Sequence, residues 1–382
     1  MKIGLVCPYN IAKGGGVQEI VRAVHKELVA RGHDVRILTP EPREMEDSHR
    51  TKDIIFVGSA ADFRSPLHTT SQFSVTSDMY GIEQMLEEEQ FDILHFHEPW
   101  VPMLSRQILS RSQSVNIATF HAKLPETMMS RTVVKVVTPY TKAVLRNLDE
   151  LTAVSEAAAE YVRTLTDAPV AIIPNGIDLS IYKTSKAKLT STKKRKTLLF
   201  IGRLERRKGV NCLLEAYGLL SDRRSDVELI IAGDGPDREK LENAAREMEL
   251  PHVKFLGFVS EAEKLRLLAS ADLFCAPALY GESFGIVLLE AMASGLVTVA
   301  GNNPGYASVM QELGSISLVN PKDSEEFARR MEVLLYDVEL RKLWQKWAKS
   351  YVKQFSYTTI VDQYVAVYEQ AQKRHALISE MA

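Results

Sequence analysis

The segment GESFGIVLLEAMASG, residues 281–295, places two glutamates eight positions apart among mostly apolar residues. Ser283 is a suitable helix N-cap and Gly295 a suitable helix end, so the segment predicts a helix between them. Eight helical residues rise roughly 12 Å and leave the second side chain about 80° from the first. We therefore expect Glu282 and Glu290 on similar sides of the helix, about two turns apart.

This spacing indicates what the two carboxylates bind. It exceeds the roughly 5–9.5 Å between the paired carboxylates of glycosidases and suits the two ends of one elongated ligand. The N–H groups of Phe284, Gly285 and Ile286 would lie at the predicted helix N-terminus, where phosphate binds favourably. The segment predicts a ligand with hydroxyl groups at both ends and phosphate between them. A structural helix with Glu290 on its polar face is the alternative.

Composition narrows the class of protein. The chain has 382 residues, enough for two domains, and is 45% hydrophobic and 25% charged. Its formal net charge of −2 argues against bulk nucleic-acid binding. Three scattered cysteines, Cys7, Cys212 and Cys275, argue against a disulfide framework or a zinc site and fit a reducing cytoplasm. Neither a signal peptide nor a membrane-spanning helix is expected from the apolar runs.

Strand and helix signals alternate in both halves of the chain. A predicted helix over 17–31 keeps apolar residues at helical spacing until Gly32. The predicted strands are KIGLVCPY, DVRILTP, DIIFVG, FDILHFH, NIATFH, LTAVS and VAIIPNG before residue 178, then TLLFIGRL, VELIIAG, VKFLGF, DLFCAP, LVTVAG and SISLV after residue 196. This alternation predicts two α/β domains with parallel sheets, and ligand binding at the carboxyl ends of the strands.

A basic stretch joins the two halves. Residues 183–196 contain seven Lys or Arg and no acid, which indicates either a solvated linker or a surface that meets anionic lipid. We predict an N-terminal domain over 1–178, a linker over 179–196 and a C-terminal domain over 197–352. Residues 353–382 are predicted to be helical.

Two loops carry the signals of a phosphate site. KGGGVQEIV, residues 13–21, follows the first strand, and Gly15 and Gly16 would let the backbone approach a phosphate. Glu19 stands where a dinucleotide-binding G-x-G-x-x-G motif needs its third glycine, which argues against a dehydrogenase. A tight turn without a ligand is the alternative.

The second of these loops, IGRLERRKGV, follows the first strand of the second half. Its cations, Arg203, Arg207 and Lys208, suit a diphosphate, and a solvated loop is the alternative. GDGP, residues 233–236, predicts a turn, and a loop that flanks a nucleotide is the alternative.

Histidines end two predicted strands of the first half. HFHEP and ATFHA place His97, Glu98 and His121 at strand carboxyl ends. No H-x-x-H or C-x-x-C spacing indicates a metal site. Two histidines at neighbouring strand ends favour a functional role, with satisfied polar residues as the alternative.

With these segments the chain resembles the retaining glycosyltransferases of family four, and among them the bacterial phosphatidylinositol mannosyltransferases. The resemblance rests on MKIGLVCPYN, GGVQ, HFHEP, ATFH, IPNGID, GR with RKG, and CAP followed by GESFGIVLLEAM. It implies a GT-B architecture, in which two Rossmann-like parallel-sheet domains face a central cleft. It also implies that the helices of 353–382 return to the first domain.

The resemblance further implies a nucleotide-sugar donor held mainly by the second domain. Arg203 and Lys208 would bind its diphosphate, together with the N–H groups at the start of the predicted helix. Glu290 would bind the nucleotide ribose, and Glu282 the hydroxyls of the transferred sugar.

The first domain would contribute to the same reaction. By the resemblance, Gly15 and Gly16 would approach the diphosphate and His121 would lie beside the reacting sugar. The residues expected to act in catalysis are His121, Glu282, Arg203 and Lys208.

The implied activity is retaining transfer of a hexose without a metal or another cofactor. We expect mannose from GDP-mannose and a membrane lipid acceptor such as phosphatidylinositol. UDP-glucose with diacylglycerol or a polysaccharide is the alternative, as are a nucleotide-sugar epimerase and a non-catalytic nucleotide-sugar-binding protein. We expect a cytoplasmic monomer, peripheral on the inner face of the membrane, with no nucleic-acid partner.

The membrane contact is expected in an unusual place. The phosphatidylinositol enzymes carry a basic amphipathic stretch where residues 78–92 of this chain are acidic. Residues 130–148 offer a basic substitute with an apolar face, which suits an anionic headgroup layer. A domain helix with a solvated basic side is the alternative. The basic residues of this segment are Arg131, Lys135, Lys142 and Arg146.

Overall fold

The computed structural model describes residues 1–12, 14–42, 52–64, 70–75, 78–101, 103–123, 138–183 and 195–381. The chain forms two compact units: unit 1 combines Met1–Gly176 with Tyr357–Ala382, and unit 2 is Ile177–Ser356. Each unit is built on one sheet. The prediction of two α/β domains with parallel sheets is confirmed.

The described residues of unit 1 form eight strands. They are β1 (Lys2–Val6), β2 (Asp34–Glu41), β3 (Ile54–Arg64), β4 (Thr70–Val75), β5 (Ile93–His97), β6 (Val115–Phe120), β7 (Glu150–Ala153) and β8 (Val170–Ile172). Their order in the sheet is β4-β3-β2-β1-β5-β6-β7-β8. Only β3 and β4 pair in the antiparallel sense among these described strands.

Helices accompany this sheet. They are α1 (Gly16–Ala30), α2 (Met79–Glu89), α3 (Leu104–Leu109), α4 (138–145), α5 (Glu156–Arg163) and, from the end of the chain, α14 (Tyr357–Met381). The predicted helix over 17–31 is confirmed as α1, whose apolar residues at helical spacing are buried. Helix α14 packs on α1 and β6, and Arg31 binds Asp362 at 2.7 Å.

In unit 2, the part of the chain that the structure describes forms six strands, in the order β11-β10-β9-β12-β13-β14. They are β9 (Lys196–Ile201), β10 (Val227–Ala232), β11 (Val253–Gly257), β12 (Leu273–Ala276), β13 (Thr298–Gly301) and β14 (Leu318–Val319). All neighbouring pairs are parallel. The strands β9, β12 and β13 are buried on both faces, which explains why they read as short continuous apolar runs.

The helices of unit 2 connect these strands. They are α6 (Ser180–Lys183), α7 (Val210–Arg223), α8 (Arg238–Glu247), α9 (Glu261–Ser270), α10 (Ile286–Ala293), α11 (Pro304–Val309), α12 (Ser324–Tyr336) and α13 (Val338–Tyr351). Short 3-10 turns cover Arg206–Lys208, Glu312–Ser317 and Val352–Phe355. No helix among the described residues is long and apolar enough to cross a membrane.

Strand order reverses once in each parallel sheet. In unit 1 the reversal lies between β1 and β5, and in unit 2 it lies between β9 and β12. Loops that leave two such strands run in opposite directions and open a crevice at the carboxyl edge, where α/β sheets bind ligands. The glycine-rich loop follows β1 and HFHEP spans the end of β5, while IGRLERRKGV begins at the last residue of β9 and GESFG follows β12.

The predicted start of the helix in 281–295 is wrong. Helix α10 begins at Ile286, three residues after Ser283. Gly285 precedes it with φ 110°, a conformation that favours glycine, and a Cβ there would lie 2.6 Å from the Tyr306 ring. Glu282 therefore lies in the loop before the helix, and only Glu290 projects from the helix itself.

Candidate functional site

A left-handed glycine positions the cationic loop of unit 2. Gly209 has φ 67°, and a Cβ there would lie 2.1 Å from the Pro277 carbonyl oxygen. The backbone N–H of Leu279 donates to the Arg207 carbonyl at 2.8 Å. The 3-10 turn after β9 is thus packed directly against the chain that leaves β12, on both sides of the strand reversal.

This packing brings two cations to one carboxylate. Glu282 Oε1 accepts a hydrogen bond from Arg207 Nη1 at 2.7 Å and lies 2.8 Å from Lys208 Nζ. Arg207 also binds Glu205 at 2.7 Å. A lysine ammonium has three N–H donors, so Lys208 can contact a phosphate oxygen while it keeps Glu282. The cluster can therefore hold a diphosphate next to a polyhydroxylated group.

Glu290 has a separate set of partners. Lys264 Nζ of α9 lies 2.6 Å from Glu290 Oε1, and the Tyr182 hydroxyl of α6 donates to the same oxygen at 3.3 Å. Burial raises the pKa of the Glu290 carboxyl, and Lys264 opposes that rise. Burial alone would lower the pKa of Lys264, but Glu290 and Glu261 outweigh it and the pKa is raised. The carboxylate is oriented from two helices besides its own.

The remaining predicted residues of unit 2 differ in exposure. Arg203 is exposed on the loop after β9. Phe284 is buried and packs edge-on against Phe355, with ring centroids 6.0 Å apart. Gly285 is buried and Ile286 is half-buried. The backbone N–H groups that were predicted to bind phosphate therefore lie partly within a packed turn. Their assignment to a ligand stays a prediction.

The glycine-rich loop of unit 1 leaves open space at the start of α1. Gly15 immediately precedes the helix, and its carbonyl accepts from Glu19 N–H at 3.0 Å. A Cβ placed on Gly16 would meet no described atom within 4 Å. A phosphate group of a ligand can therefore approach the first turn of α1 closely.

Three imidazoles lie together beside β5 and β6. His97 Nδ1 and His121 Nε2 are 2.9 Å apart, and the His95 ring lies 4.3 Å from that of His97. His95 Nδ1 is 2.7 Å from the Tyr368 hydroxyl of α14, and its Nε2 is 2.6 Å from Thr119 Oγ1. The C-terminal helix thereby fixes the first ring of the group.

Burial keeps these imidazoles uncharged. It lowers the pKa of His95 to about 3 and that of His121 to about 4. It also holds the pKa of His97 well below its ordinary value, with a further lowering from the neighbouring rings. All three are neutral at pH 7. They can donate or accept hydrogen bonds with an uncharged group without adding charge to the site.

Glu98 anchors the end of β6. Its Oε1 accepts from the His121 backbone N–H at 2.5 Å, and its own backbone adopts φ 51°. Burial raises the pKa of the carboxyl to about 7, against the hydrogen bonds that it accepts from the His121 and Ala122 backbone and the Trp100 side chain. Glu98 therefore positions the strand end that carries His121.

Two family models match the chain in succession. The model for Glycosyltransferase Family 4 matches residues 14–181, and the model for Glycosyl transferases group 1 matches residues 182–351. A phosphatidyl-myo-inositol mannosyltransferase from Mycolicibacterium smegmatis is 32% identical over 376 residues, covering 97% of this chain and 94% of the relative. The chain belongs to the family four glycosyltransferases. It is a hexosyltransferase.

Solved structures show the fold of this glycosyltransferase. A sucrose-phosphate synthase from Thermosynechococcus elongatus matches with a TM-score of 0.76 at 20% identity, over 97% of this chain and 98% of that one. Anabaena HepE, solved in complex with UDP-glucose, matches with a TM-score of 0.75 at 19% identity, over 97% and 100%. The predicted GT-B fold is confirmed.

The structure brings together a part of the predicted site. Lys208 and Glu282 are in direct contact, joined by Arg207, while Glu290 belongs to another cluster. Sequence reasoning missed Lys264, which is one lysine of an ordinary amphipathic helix, EAEKLRLLAS. No signal in that segment singles it out.

The predicted lipid-contact segment lies partly outside the described residues. Arg131 and Lys135 fall there, as does nearly all of the basic stretch 183–196. Lys142 on α4 and Arg146 just after it are exposed. Most of the acidic segment 78–92 forms α2, Met79–Glu89.

Proposed function

We propose that this glycosyltransferase transfers mannose from GDP-mannose to a phosphatidylinositol-type lipid on the inner face of a membrane. The single observation that carries the proposal is the 32% identity, over 97% of the chain, to the mycolicibacterial phosphatidyl-myo-inositol mannosyltransferase. The clustering of Arg207, Lys208 and Glu282 supports a nucleotide diphosphate-sugar as the donor.

The proposed reaction breaks the bond between the sugar C1 and the diphosphate oxygen. The bonding electrons leave with the diphosphate, so negative charge grows there, and Lys208 with Arg203 stabilises it. The acceptor hydroxyl bonds to C1 from the same face and its proton passes to the leaving diphosphate oxygen, which retains the anomeric configuration. These cations supply the charge stabilisation, and we propose that no metal ion is required.

Unit 2 would recognise both ends of the donor. Glu282 is held by two cations beside the proposed diphosphate position and would accept hydrogen bonds from the hydroxyls of the transferred sugar. Glu290, oriented by Lys264 and Tyr182, would accept from the ribose hydroxyls. In unit 1, Gly15 and Gly16 would approach the diphosphate.

The acceptor is proposed from the relative and from the exposed cations. Lys142 and Arg146 lie four positions apart and are both exposed, as an anionic headgroup layer requires. Each cation near such a surface adds about 1 kcal/mol to binding. The acidic face of α2 would repel the same surface, so the chain would dock through α4 instead.

The test is a matrix of donors and acceptors. The purified chain is incubated with GDP-mannose, UDP-glucose or UDP-N-acetylglucosamine, in EDTA, together with vesicles that contain phosphatidylinositol, vesicles that contain diacylglycerol, or a soluble polysaccharide. Mass spectrometry of the lipid is expected to show hexosylated phosphatidylinositol from GDP-mannose alone. Product from UDP-glucose on diacylglycerol or polysaccharide would replace the proposed substrates, and donor binding without transfer to any acceptor would exclude catalysis.

Vesicle sedimentation separates the membrane contact from the chemistry. Binding to anionic vesicles is expected to fall at high salt and in a Lys142→Glu, Arg146→Glu double variant. Lys342→Glu with Lys346→Glu, two exposed lysines of α13 in the other unit, is the matched control. Equal binding of the two double variants would exclude α4 as the docking surface.

A further inference from the structure

A row of polar side chains lies buried beneath the C-terminal helix α14. His95 of β5, Thr119 of β6 and Thr152 of β7 belong to neighbouring parallel strands, whose covered faces are usually apolar. Each of the three is fully buried. A buried polar group is costly unless it is hydrogen-bonded, so this row needs a complete set of donors and acceptors.

The hydrogen bonds at one end of the row have a fixed direction. The Thr152 hydroxyl donates to the Ala118 carbonyl at 3.0 Å, because a carbonyl oxygen can only accept. This uses the one proton of Thr152, so the contact of 2.6 Å between Thr152 Oγ1 and Thr119 Oγ1 takes its proton from Thr119. The proton of Thr119 is then used as well, and its contact of 2.6 Å with His95 Nε2 requires an N–H on that nitrogen.

The other end of the row gives the same direction. Burial, with a smaller contribution from His121, lowers the pKa of His95 to about 3, so the ring is neutral and has one N–H and one bare nitrogen. With the N–H on Nε2, the bare Nδ1 accepts from the Tyr368 hydroxyl of α14, 2.7 Å away. In the opposite tautomer the buried Tyr368 O–H would have no acceptor among the described residues. Only the first arrangement gives every proton of the row an acceptor.

Ring contacts continue this row to the candidate site. The His95 ring lies 4.3 Å from the His97 ring, at 34° to it, and His97 Nδ1 is 2.9 Å from His121 Nε2. Hydrogen bonds on both ring nitrogens fix the orientation of His95, whereas a single hydrogen bond would let the ring turn about it. A change in that orientation would pass to His97 by contact, since close-packed side chains have little free space.

We propose that Tyr368 is a positioning residue: by donating to His95, its hydroxyl keeps His121 in the orientation that sugar transfer uses. The role rests on the proposed function, in which His121 lies beside the reacting sugar. The C-terminal helix would then contribute to catalysis as well as to the fold of unit 1. The residues proposed to hold the donor belong mainly to unit 2, so loss of the Tyr368 hydroxyl should slow the transfer and spare donor binding.

Nitrogen NMR of the histidine rings tests the hydrogen-bond direction in the free protein. The chain has nine histidines, and the His95 signals are assigned by their loss in His95→Gln. At pH 7 we expect a protonated Nε2 and a bare Nδ1 whose signal has the shift of a hydrogen-bonded acceptor. A protonated Nδ1 would overturn the proposal, whatever sugar the enzyme transfers.

Tyr368→Phe removes only the hydroxyl, and Tyr364→Phe is its matched control. Tyr364 lies one turn earlier on the same helix and is 1% exposed, and its hydroxyl lies 3.4 Å from Thr119 Oγ1. Tyr368→Phe should move the Nδ1 signal of His95 towards the value of an unbonded nitrogen, whereas Tyr364→Phe should leave it in place. An unmoved signal in Tyr368→Phe, or an equal movement in both variants, would overturn the proposed bond.

The same two variants test the positioning role in catalysis. Tyr368→Phe is expected to lower kcat about tenfold, the order of one lost hydrogen bond, because a small misplacement near the reacting atoms slows the reaction. Its KM for the donor is expected to stay close to the wild-type value, and Tyr364→Phe is expected to keep both parameters. A fall in kcat of equal size in both variants would indicate loss of packing under α14 and would overturn the positioning role.

The outcomes separate this inference from the proposed function. An unchanged kcat in Tyr368→Phe would overturn the positioning role while the proposed donor and acceptor stand. A different donor or acceptor would overturn the proposed substrates and leave the comparison in force, because both variants are measured in the transfer that wild type performs. If wild type transfers no sugar to any acceptor, the proposed function and the positioning role both fail, and the NMR still decides the hydrogen-bond direction.

Discussion

The carboxyl edges of the two sheets carry opposite kinds of polar groups. In unit 2, Glu282 and Glu290 are each held by cations, at 2.7 Å and 2.8 Å for Glu282 and 2.6 Å for Glu290. In unit 1, the corresponding edge carries His97 and His121, which burial keeps uncharged. One edge suits a charged diphosphate, and the other suits uncharged hydroxyl groups.

This difference follows from where the charges can be compensated. Carboxylates and ammonium groups can be partly buried only when they are paired, so unit 2 holds its charges in clusters. Imidazoles can instead become neutral when buried, so unit 1 needs no counter-charge. The two edges should therefore respond to different perturbations: removal of a cation should affect unit 2, and acid should affect unit 1.

The largest effect is expected from the cationic loop. Arg203→Ala or Lys208→Ala should lower kcat/KM by roughly ten- to a hundredfold or more, since hydrogen bonds to charged groups contribute about 1.5–3 kcal/mol each. Arg207→Ala should cost less, because Arg207 is already neutralised by two carboxylates, Glu205 and Glu282, each at 2.7 Å. Steady-state kinetics with the donor measures all three.

Lys342→Ala is the control for this series. Lys342 is exposed on α13 and pairs only with the exposed Glu339 among its described neighbours, so its loss should leave kcat/KM unchanged. Near-wild-type kinetics in both Arg203→Ala and Lys208→Ala would remove the diphosphate assignment. A larger loss in Arg207→Ala than in Lys208→Ala would transfer the main role to the arginine.

Acid should destabilise the protein through unit 1. In the folded protein, the pKa values of His95 and His121 are about 3 and about 4, below the ordinary histidine value. The unfolded chain therefore takes up these protons at higher pH than the folded protein does. As the pH falls below the ordinary histidine value, the free energy of unfolding decreases. At pH 5 each of these two histidines lowers the free energy of unfolding by roughly 2 kcal/mol. His97, whose pKa is also lowered, acts in the same direction. Glu98, raised to about 7, opposes them, since its folded form takes up a proton between pH 7 and 5 and offsets roughly 2 kcal/mol.

We therefore expect the free energy of unfolding to decrease by about 2 kcal/mol or more between pH 7 and pH 5. Urea unfolding at the two pH values measures it, and Glu98→Gln isolates the unit 1 contribution from surface carboxylates. In this variant no carboxyl group at position 98 takes up a proton to offset the histidines. Its stability should therefore fall more steeply with acid than that of wild type. An equal or shallower fall in Glu98→Gln would contradict the charge states given to this cluster.

Much of the fold was predictable from local sequence. Parallel strands in a covered sheet leave short apolar runs, so thirteen of the fourteen described strands overlap predicted runs. Strand β4, TSQFSV, pairs only at the antiparallel edge of the sheet and has a mostly polar sequence. The start of α10 was misplaced because Gly285 and its contact with Tyr306 end the regular geometry there, and that contact is tertiary.

The loops that carry the candidate site could be predicted from the sequence, but the side-chain pairs within the site could not. Strand ends locate Lys208, Glu282 and His121 at carboxyl edges, since parallel strands share their direction. The partners of Glu290 come from other elements, and nothing in the sequence relates Lys264 to it. The protonation state of the histidines was equally hidden, because it depends on burial by residues far apart in the chain.

The smallest effect separates the two glutamates of unit 2. Glu290→Gln should weaken binding of both GDP and GDP-mannose about tenfold, because the charged acceptor proposed for the ribose is lost and Lys264 keeps only Glu261 as its counter-charge. Glu282→Gln should weaken GDP-mannose but spare GDP, since Lys208 remains free to bind the diphosphate. Calorimetry with both ligands measures this difference, and Glu339→Gln, an exposed partner of Lys342, is the control. Equal losses of GDP affinity in the two variants would show that both carboxylates act on the nucleotide, and the division of unit 2 into a sugar end and a ribose end would be wrong.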